Sequence, residues 1–438
     1  MVATAAPPRE TINTGMERPI EAHEVRLALA RAKDGKASGF DSIPVEVLRN
    51  NTAINCLHKL FNKCFQSCLA PNIWARGVIN PIPKDSSKDP RVPLHYRGIT
   101  LASCIYKLYC SILNSRLVIW AEQNGLVEDE QNGFRKGRSC QDHLTSITNI
   151  IDTRRQYNQS TFVAFVDFRK AYDHIDRLRL WARLRQLGMP QKFLSVLQSL
   201  YSNVECSVRI NGVCTEWFPV KIGLKQGCIL SPVLFNLYIN GLVERLKRSG
   251  LGVSVDGLKV ALLIYADDLA ILAESEEDLK AMLNELHKWS EEFAMDVNVE
   301  KTKIVHFRRG PATPRTEEVF LYGMKPIQVV SQYRYLGLVL TECLDWSVTA
   351  KYVAQASQRA LGLLIAKSKA HGGLPYTVFT KLYDALVQPI MDYGAAIWGH
   401  KPHSCIQAVQ NRAMRFHLGV GRRTLRCWAQ NPKGSATR

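Results

Sequence analysis

Long apolar runs are missing from this 438-residue chain. None approaches the ~18–20 residues that cross a bilayer. The longest, such as Val260 to Tyr265, have strand length. The first residues (MVATAAPPRE) lack the apolar stretch of a secretory signal. There are 12 cysteines but no Cys-x-x-Cys pair. Neither Cys56, Cys64, Cys68 with His58 nor His400, His403, Cys405 with His417 has zinc-site spacing, so free thiols in a reducing compartment are expected. Acidic residues are in short supply: 39 against 57 Lys and Arg, a net charge of +18. From Asp345 onward there are 13 basic residues, 3 Asp and no Glu. A surplus of that size points to a polyanion, nucleic acid ahead of membrane; the alternative is a merely soluble basic protein.

What is present is a globular composition, 46% apolar and 22% charged. Residues 1–20 read as a flexible tail. Helical periodicity runs over Glu21 to Lys33 and Asn50 to Leu69, and Trp74 to Lys84 reads as a strand entering a turn. Ile99 to Trp120 reads as helix, followed by the Gly- and Arg-rich stretch NGFRKGRS and another helix to about Ile151. Thr161 to Asp167 is β-branched and aromatic, a strand; Ala171 to Leu187 is a helix stopped by Gly188 and Pro190. Ser231-Pro232 opens a helix, Ser as cap and Pro at its first position, running to about Arg248. Ser275 and Asp278 form a capping box ahead of the stripe Leu279, Met282, Leu283, Leu286, Trp289, Phe293. Lys303 to Phe307 is a further strand. The mixture predicts an α+β domain with helices on one face of an antiparallel sheet, and helices alone after Asp345.

Asp267 and Asp268 carry the sharpest chemical signal. They interrupt LLIYADDLAIL, where every neighbour is apolar. Two adjacent carboxylates at the tip of an apolar hairpin repel each other, and burying them adds a desolvation cost. A divalent cation relieves both; a solvated Asp-Asp turn is the alternative. Asp167, at the end of its own apolar strand, adds a third carboxylate. Three such groups on adjacent strand ends suit two Mg²⁺ about 4 Å apart, as in in-line phosphoryl transfer, one lowering the pKa of a primer 3′-hydroxyl and the other holding the triphosphate.

FVDFRKAYD (165–173), GLKQGCILSPVLFNLYIN (223–240) and IYADDLAIL (264–272) resemble three successive palm motifs of reverse transcriptases, and more narrowly those of non-LTR (LINE-type) retrotransposons. GKASGFDSIPVEVL, GVINPIPK, YRGITLASCIYKLYCSILNSRL and QNGFRKGRSCQDHL resemble that group's upstream blocks in order, and NVEKTKIVHF and YRYLGLVL its later palm blocks. The likeness covers about Glu21 to Leu340 and continues more weakly through YDALVQPIMDYGAAIW.

The resemblance implies a right-hand polymerase: an N-terminal extension and fingers over 21–160, a palm over 161–344 with a small antiparallel sheet backed by helices, and a basic helical thumb over 345–438. It implies an RNA-directed DNA polymerase acting in retrotransposition, with an RNA template, a DNA primer, deoxynucleoside triphosphates and two Mg²⁺ (Mn²⁺ being compatible), no membrane, and an intracellular site in nucleus, cytoplasm or both. Asp167, Asp267 and Asp268 are then the metal ligands, helped by the Phe168 carbonyl. Lys301 is the candidate proton donor to pyrophosphate. Tyr172 lies under the incoming sugar, with core packing as the alternative, and Gln226 lines the nucleotide pocket. Lys84 and Arg97 reach the triphosphate across a flexible loop. Tyr335, Leu336 and Gly337 grip the primer end. Arg135, Lys136 and Arg138 touch template phosphates or form a solvated charge run.

The chain departs from the group's pattern at Ser38-Gly39-Phe40-Asp41-Ser42, where Pro-Gly-Pro-Asp-Gly is usual, and at Gly98 and Thr100, where Pro and Ser are usual. An upstream endonuclease is not expected in so short a leader, a partial copy is, and whether an endonuclease acts in trans is open. Rival readings are an RNA-binding scaffold, a group II intron-type enzyme, and an RNA polymerase; Tyr172 speaks against the last.

Overall fold

The computed structural model describes residues 15–84, 89–310 and 312–420. Its centre is a six-stranded sheet in the order Phe320–Tyr322, Lys325–Val329, Lys303–Phe307, Thr161–Val166, Asp268–Ala273, Leu262–Tyr265. Neighbours are antiparallel except Lys303–Phe307 beside Lys325–Val329, which are parallel.

Thr161–Val166 is buried along its whole length. Its side chains alternate between two cores. Phe162, Ala164 and Val166 pack with the helices Ser231–Arg248 and Glu276–Phe293. Val163 and Phe165 pack on the other face with Leu144, Ile147 and Ile151 of the helix Cys140–Gln156 and with the hairpin Gln332–Thr341. The expectation of helices on one face is therefore corrected. Both faces are covered, which is why this strand reads as a continuous apolar run without polar alternation.

A second sheet joins Arg76–Pro83 to Tyr96–Leu101 antiparallel and to Glu205–Ile210 in parallel. Glu205–Ile210 (ECSVRI) alternates polar and apolar residues, a strand signal not used in the sequence analysis. Ile99 to Leu101, expected as helix, belongs to this sheet, and the helix begins at Cys104. Among the described residues past 345 there are five helices, from Trp346–Ala370 to Ser404–Leu418. They share a small core of Leu361, Leu364, Phe379, Val387, Met391 and Val409. Five of the basic residues expected on this unit (Arg422, Arg423, Arg426, Lys433, Arg438) lie outside the described residues.

Two helix starts differ from expectation, and each difference shapes the site. The helix placed at Ala171 begins at Arg177, because the Asp176 carboxylate caps it by accepting from Leu178 and Arg179 N–H. Ala171 to Asp176 are thereby left as a tight turn carrying Tyr172 and Asp173. Ser231 is not the cap of its helix. Leu230 stands there, and the Ser231 hydroxyl instead donates to the Lys225 carbonyl at 2.8 Å, tying down the Gly223–Cys228 loop.

Candidate active site

The catalytic candidates sit where the central strands end. Leu269 pairs with Val166, so the next step of the ladder sets Asp268 beside Asp167. Tyr265 pairs with Asp268 across the two-residue turn Ala266–Asp267. Asp268 thus opens its strand and Asp267 occupies the turn.

That turn is strained and clamped. Ala266 has φ 60°, a left-handed conformation costing a non-glycine residue about 1–2 kcal/mol. The buried Gln131 side chain compensates. Its Oε1 accepts from Ala266 N–H at 3.0 Å and from Gly133 N–H at 2.7 Å, and its Nε2 donates to the Ala266 carbonyl at 3.3 Å. The surrounding segment adds to the sheet edge, with Ile264 N–H donating to Glu130 and Asn132 N–H to Ile264, both at 2.9 Å. Gly133 is required by this approach, because a Cβ there would lie 2.1 Å from the Ala266 nitrogen. Sequence reasoning missed Gln131. The only available signal was the Gln-Asn-Gly run ahead of the basic stretch.

Asp167 is held from the other side. Its N–H donates to the Thr302 hydroxyl at 3.2 Å and its carbonyl accepts from Asn298 N–H at 2.8 Å. Phe168 is buried against Val297 and Trp289. The bridge bonds run through Asp167 O and Arg169 N, which leaves the Phe168 carbonyl out of the bridge. Lys301 is exposed, with its ammonium 3.7 Å from Asp167 Oδ2.

Burial first, then the Asp267 and Asp167 charges, push Asp268 up to about 6. Asp267 is also raised, by burial and by Asp167, with Arg97 opposing. Three carboxylates within electrostatic reach of one another, each offering hard oxygens, are a donor set of the kind that takes Mg²⁺. Their crowding is the cost a cation removes. Among the described residues no three acid, thiol or imidazole groups converge at ligand distance. Asp167 faces Lys301, so a shared ion requires its carboxylate to leave that contact.

Tyr172 stacks on Phe235 with ring centroids 4.7 Å apart, and its hydroxyl is buried without a partner. Burial and Asp267 hold that phenol well above its ordinary range. The Gln226 amide donates to Asp173 Oδ1 at 2.8 Å, which fixes its orientation. Both line a cavity of about 260 Å³ with Thr100, Arg177 and Lys225. Lys225 itself is buried, donating to the carbonyls of Trp74 and Leu200 over the Tyr106 ring.

Arg97 is exposed opposite Ile82 on the fingers hairpin, close enough to draw Asp267 downward. Lys84 is also exposed, just past the partner strand, with its N–H on the His95 carbonyl at 2.8 Å. Most of the loop expected to flex between them, residues 85–88, lies outside the described residues.

Leu336 and Gly337 form a two-residue turn with φ 43° and 88°. Tyr335 precedes it and is buried; its hydroxyl donates to the Asp268 carbonyl at 3.3 Å and meets His143 Nε2 at 2.8 Å. Its polar end therefore faces the strand that carries Asp268. The basic stretch also changes meaning. Arg135 pairs with Glu122 and Arg138 with Asp129, at 2.7 and 2.6 Å. Both are engaged in the fold, and Lys136 is left exposed.

A family model for the reverse transcriptase (RNA-dependent DNA polymerase) domain matches residues 82–340. The chain belongs to the reverse transcriptase family. The matched span contains all three aspartates, Arg97, Gln131, Tyr172, Gln226 and the Tyr335 hairpin. Among curated proteins it is similar to three from Drosophila melanogaster. It is 27% identical over 422 residues to a probable RNA-directed DNA polymerase from transposon X-element (92% of this chain, 44% of the relative). It is 27% identical over 413 residues to one from transposon BS (91% and 44%). It is 24% identical over 419 residues to the RNA-directed DNA polymerase from mobile element jockey (92% and 45%). The chain spans less than half the length of these relatives. Its α+β architecture is that of a right-hand polymerase of this family. Among the described residues no helix is long and apolar enough to cross a membrane.

Proposed function

We propose that this reverse transcriptase domain adds deoxynucleotides to a primer 3′-hydroxyl on an RNA template, within a retrotransposition cycle. The observation that carries the reading is the ladder register, which sets Asp167 beside Asp268 with Asp267 in the intervening turn, in a chain of this family.

In this reading Asp167, Asp267 and Asp268 hold two Mg²⁺, or Mn²⁺, with the Phe168 carbonyl as a further oxygen. Bound there, the metal supplies a lowered pKa at the primer hydroxyl and neutralises charge on the phosphates. The chain's own groups do the rest. Arg97 and Lys84 approach the triphosphate from the exposed fingers hairpin. Tyr172, braced by Phe235, presents its ring edge where a ribose 2′-hydroxyl would lie. Gln226, with its Nε2 committed to Asp173, offers its carbonyl to the nucleotide pocket. Lys301 lies beside Asp167, placed to pass a proton to departing pyrophosphate once that carboxylate turns away. Leu336 and Gly337 form the tip that meets the primer end. The proposed division is fingers to residue 160, palm to 344 and thumb beyond. RNA template, DNA primer and deoxynucleoside triphosphates are the partners, inside the cell.

Primer extension by the purified chain tests this. RNA template, DNA primer and deoxynucleotides with Mg²⁺ should give elongation that EDTA stops and that ribonucleotides do not support. No elongation, or a preference for ribonucleotides, overturns the reading.

A further inference from the structure

His143 is fully buried, and nothing in the proposed chemistry uses it. Its surroundings form a directed chain of hydrogen bonds. Arg138, paired with Asp129, donates to Asn132 Oδ1 at 3.2 Å. That fixes the Asn132 amide with its Nδ2 toward His143 Nδ1, 3.0 Å away. An amide nitrogen only donates, so Nδ1 accepts and the ring hydrogen sits on Nε2. Nε2–H then donates to the Tyr335 hydroxyl at 2.8 Å, and that hydroxyl donates to the Asp268 carbonyl at 3.3 Å. From Asn132 onward each donor in the chain has one acceptor, so the chain runs in one direction only.

The endpoints matter. Asn132 belongs to the segment that holds Ala266 through Gln131, on one side of the catalytic turn. Tyr335 holds Asp268, the residue after that turn. His143 also packs edge-on against Tyr265, the residue before it, with ring centroids 5.9 Å apart. A single imidazole therefore links both flanks of a strained acidic turn. Phe, Leu or Met would fill the same volume without connecting anything.

We infer that His143 is a positioning residue: held as the Nε2–H tautomer by Asn132, it orients the Tyr335 hydroxyl, which pins the backbone of Asp268 and so sets the two carboxylates for the cation and the primer hydroxyl. The inference deepens the reading of the site given above and rests on it for the reaction, but not for the metal.

The test compares the full chain with its Tyr335→Phe, His143→Gln and His143→Leu variants. Two quantities are measured: Mn²⁺ affinity by paramagnetic resonance titration with the metal alone, and incorporation kinetics on primer and RNA template. Tyr335→Phe keeps the ring stacked on Phe165 and loses one hydroxyl. It should lower kcat about tenfold while KM for deoxynucleotide stays within about twofold, and weaken Mn²⁺ about tenfold. Gln can accept from Asn132 and donate to Tyr335, so His143→Gln should retain most of kcat that His143→Leu loses. The inference is overturned if Tyr335→Phe leaves both kcat and Mn²⁺ affinity unchanged, or if Gln rescues no better than Leu. Wild type that incorporates nothing, with Mn²⁺ still weakened by Tyr335→Phe and by His143→Leu but not by His143→Gln, upholds the positioning role and refutes the polymerase reading.

Discussion

The Ala266–Asp268 turn and the hairpin of Arg76–Pro83 with Tyr96–Leu101 are built on opposite plans. Around Ala266 to Asp268 and at Asp167, the backbone that carries the carboxylates is held by groups from three other parts of the chain: Gln131, Tyr335 and the Asn298–Thr302 segment. On that hairpin, Arg97 and Lys84 are exposed near the strand ends. A carboxylate that must share a cation cannot wander, and in a partly buried site it has to be held against its neighbours' repulsion. A cation that meets a triphosphate is needed only when the triphosphate is there.

If the turn is the fixed partner, its variants should cost kcat. Asp268→Asn should reduce incorporation to background, a loss of at least about 10³-fold, while primer–template binding by fluorescence anisotropy is unchanged. Gly133→Ala should come next. The added methyl has no room beside the Ala266 nitrogen, and a shifted turn should cost about 10²-fold in kcat. Calorimetry should show a stability loss of only about 1–3 kcal/mol. A Gly133→Ala enzyme of normal rate would mean that the turn tolerates movement and that the contrast with the fingers is false.

How much of this was legible in the sequence follows from which groups act locally. The three aspartates stood out because each breaks an apolar strand, and strand ends next to one another in a sheet put their side chains together. Tyr172 and Gln226 came from motif resemblance, and the structure adds Phe235 and Asp173 as what orients them. Gln131 and His143 were invisible, since their partners lie 135 and 192 residues away and no local pattern encodes such a bond. Arg135 and Arg138, read as template contacts or a solvated charge run, have acidic partners only 13 and 9 residues upstream. A run of basic residues looks free until Glu122 and Asp129 are placed beside it. The helix at Arg177 started late because a capping aspartate outranked the apolar periodicity before it.

On the fingers side the expected effects are smaller and of another kind. Arg97→Ala should raise KM for deoxynucleotide about tenfold and change kcat by less, since one charge-assisted contact to phosphate is lost. Lys84→Ala should act in the same direction. A pure kcat loss in either would place them with the turn instead.

The smallest effect concerns pH and stability, not rate. Burial holds His143 down at about 4, below its ordinary 6.5, among Asn132, Tyr265 and Tyr335. Between those values the unfolded chain binds a proton that the folded chain refuses. Folded stability should therefore fall as pH drops from about 6.5 to about 4, by roughly 3 kcal/mol in all, and level off below. Denaturant titrations across that range should show the slope in wild type and a flatter curve in His143→Gln.

The account stands or falls on the three aspartates forming one cation site. Counting Mn²⁺ by paramagnetic resonance, on the chain bound to a dideoxy-terminated primer, RNA template and matching nucleotide, addresses this directly. Wild type should hold two ions beyond those of the nucleic acid alone, and Asp167→Asn and Asp268→Asn should each lose at least one. An unchanged count in Asp167→Asn would mean that this carboxylate stays with Lys301 and that the strand ends do not share a metal.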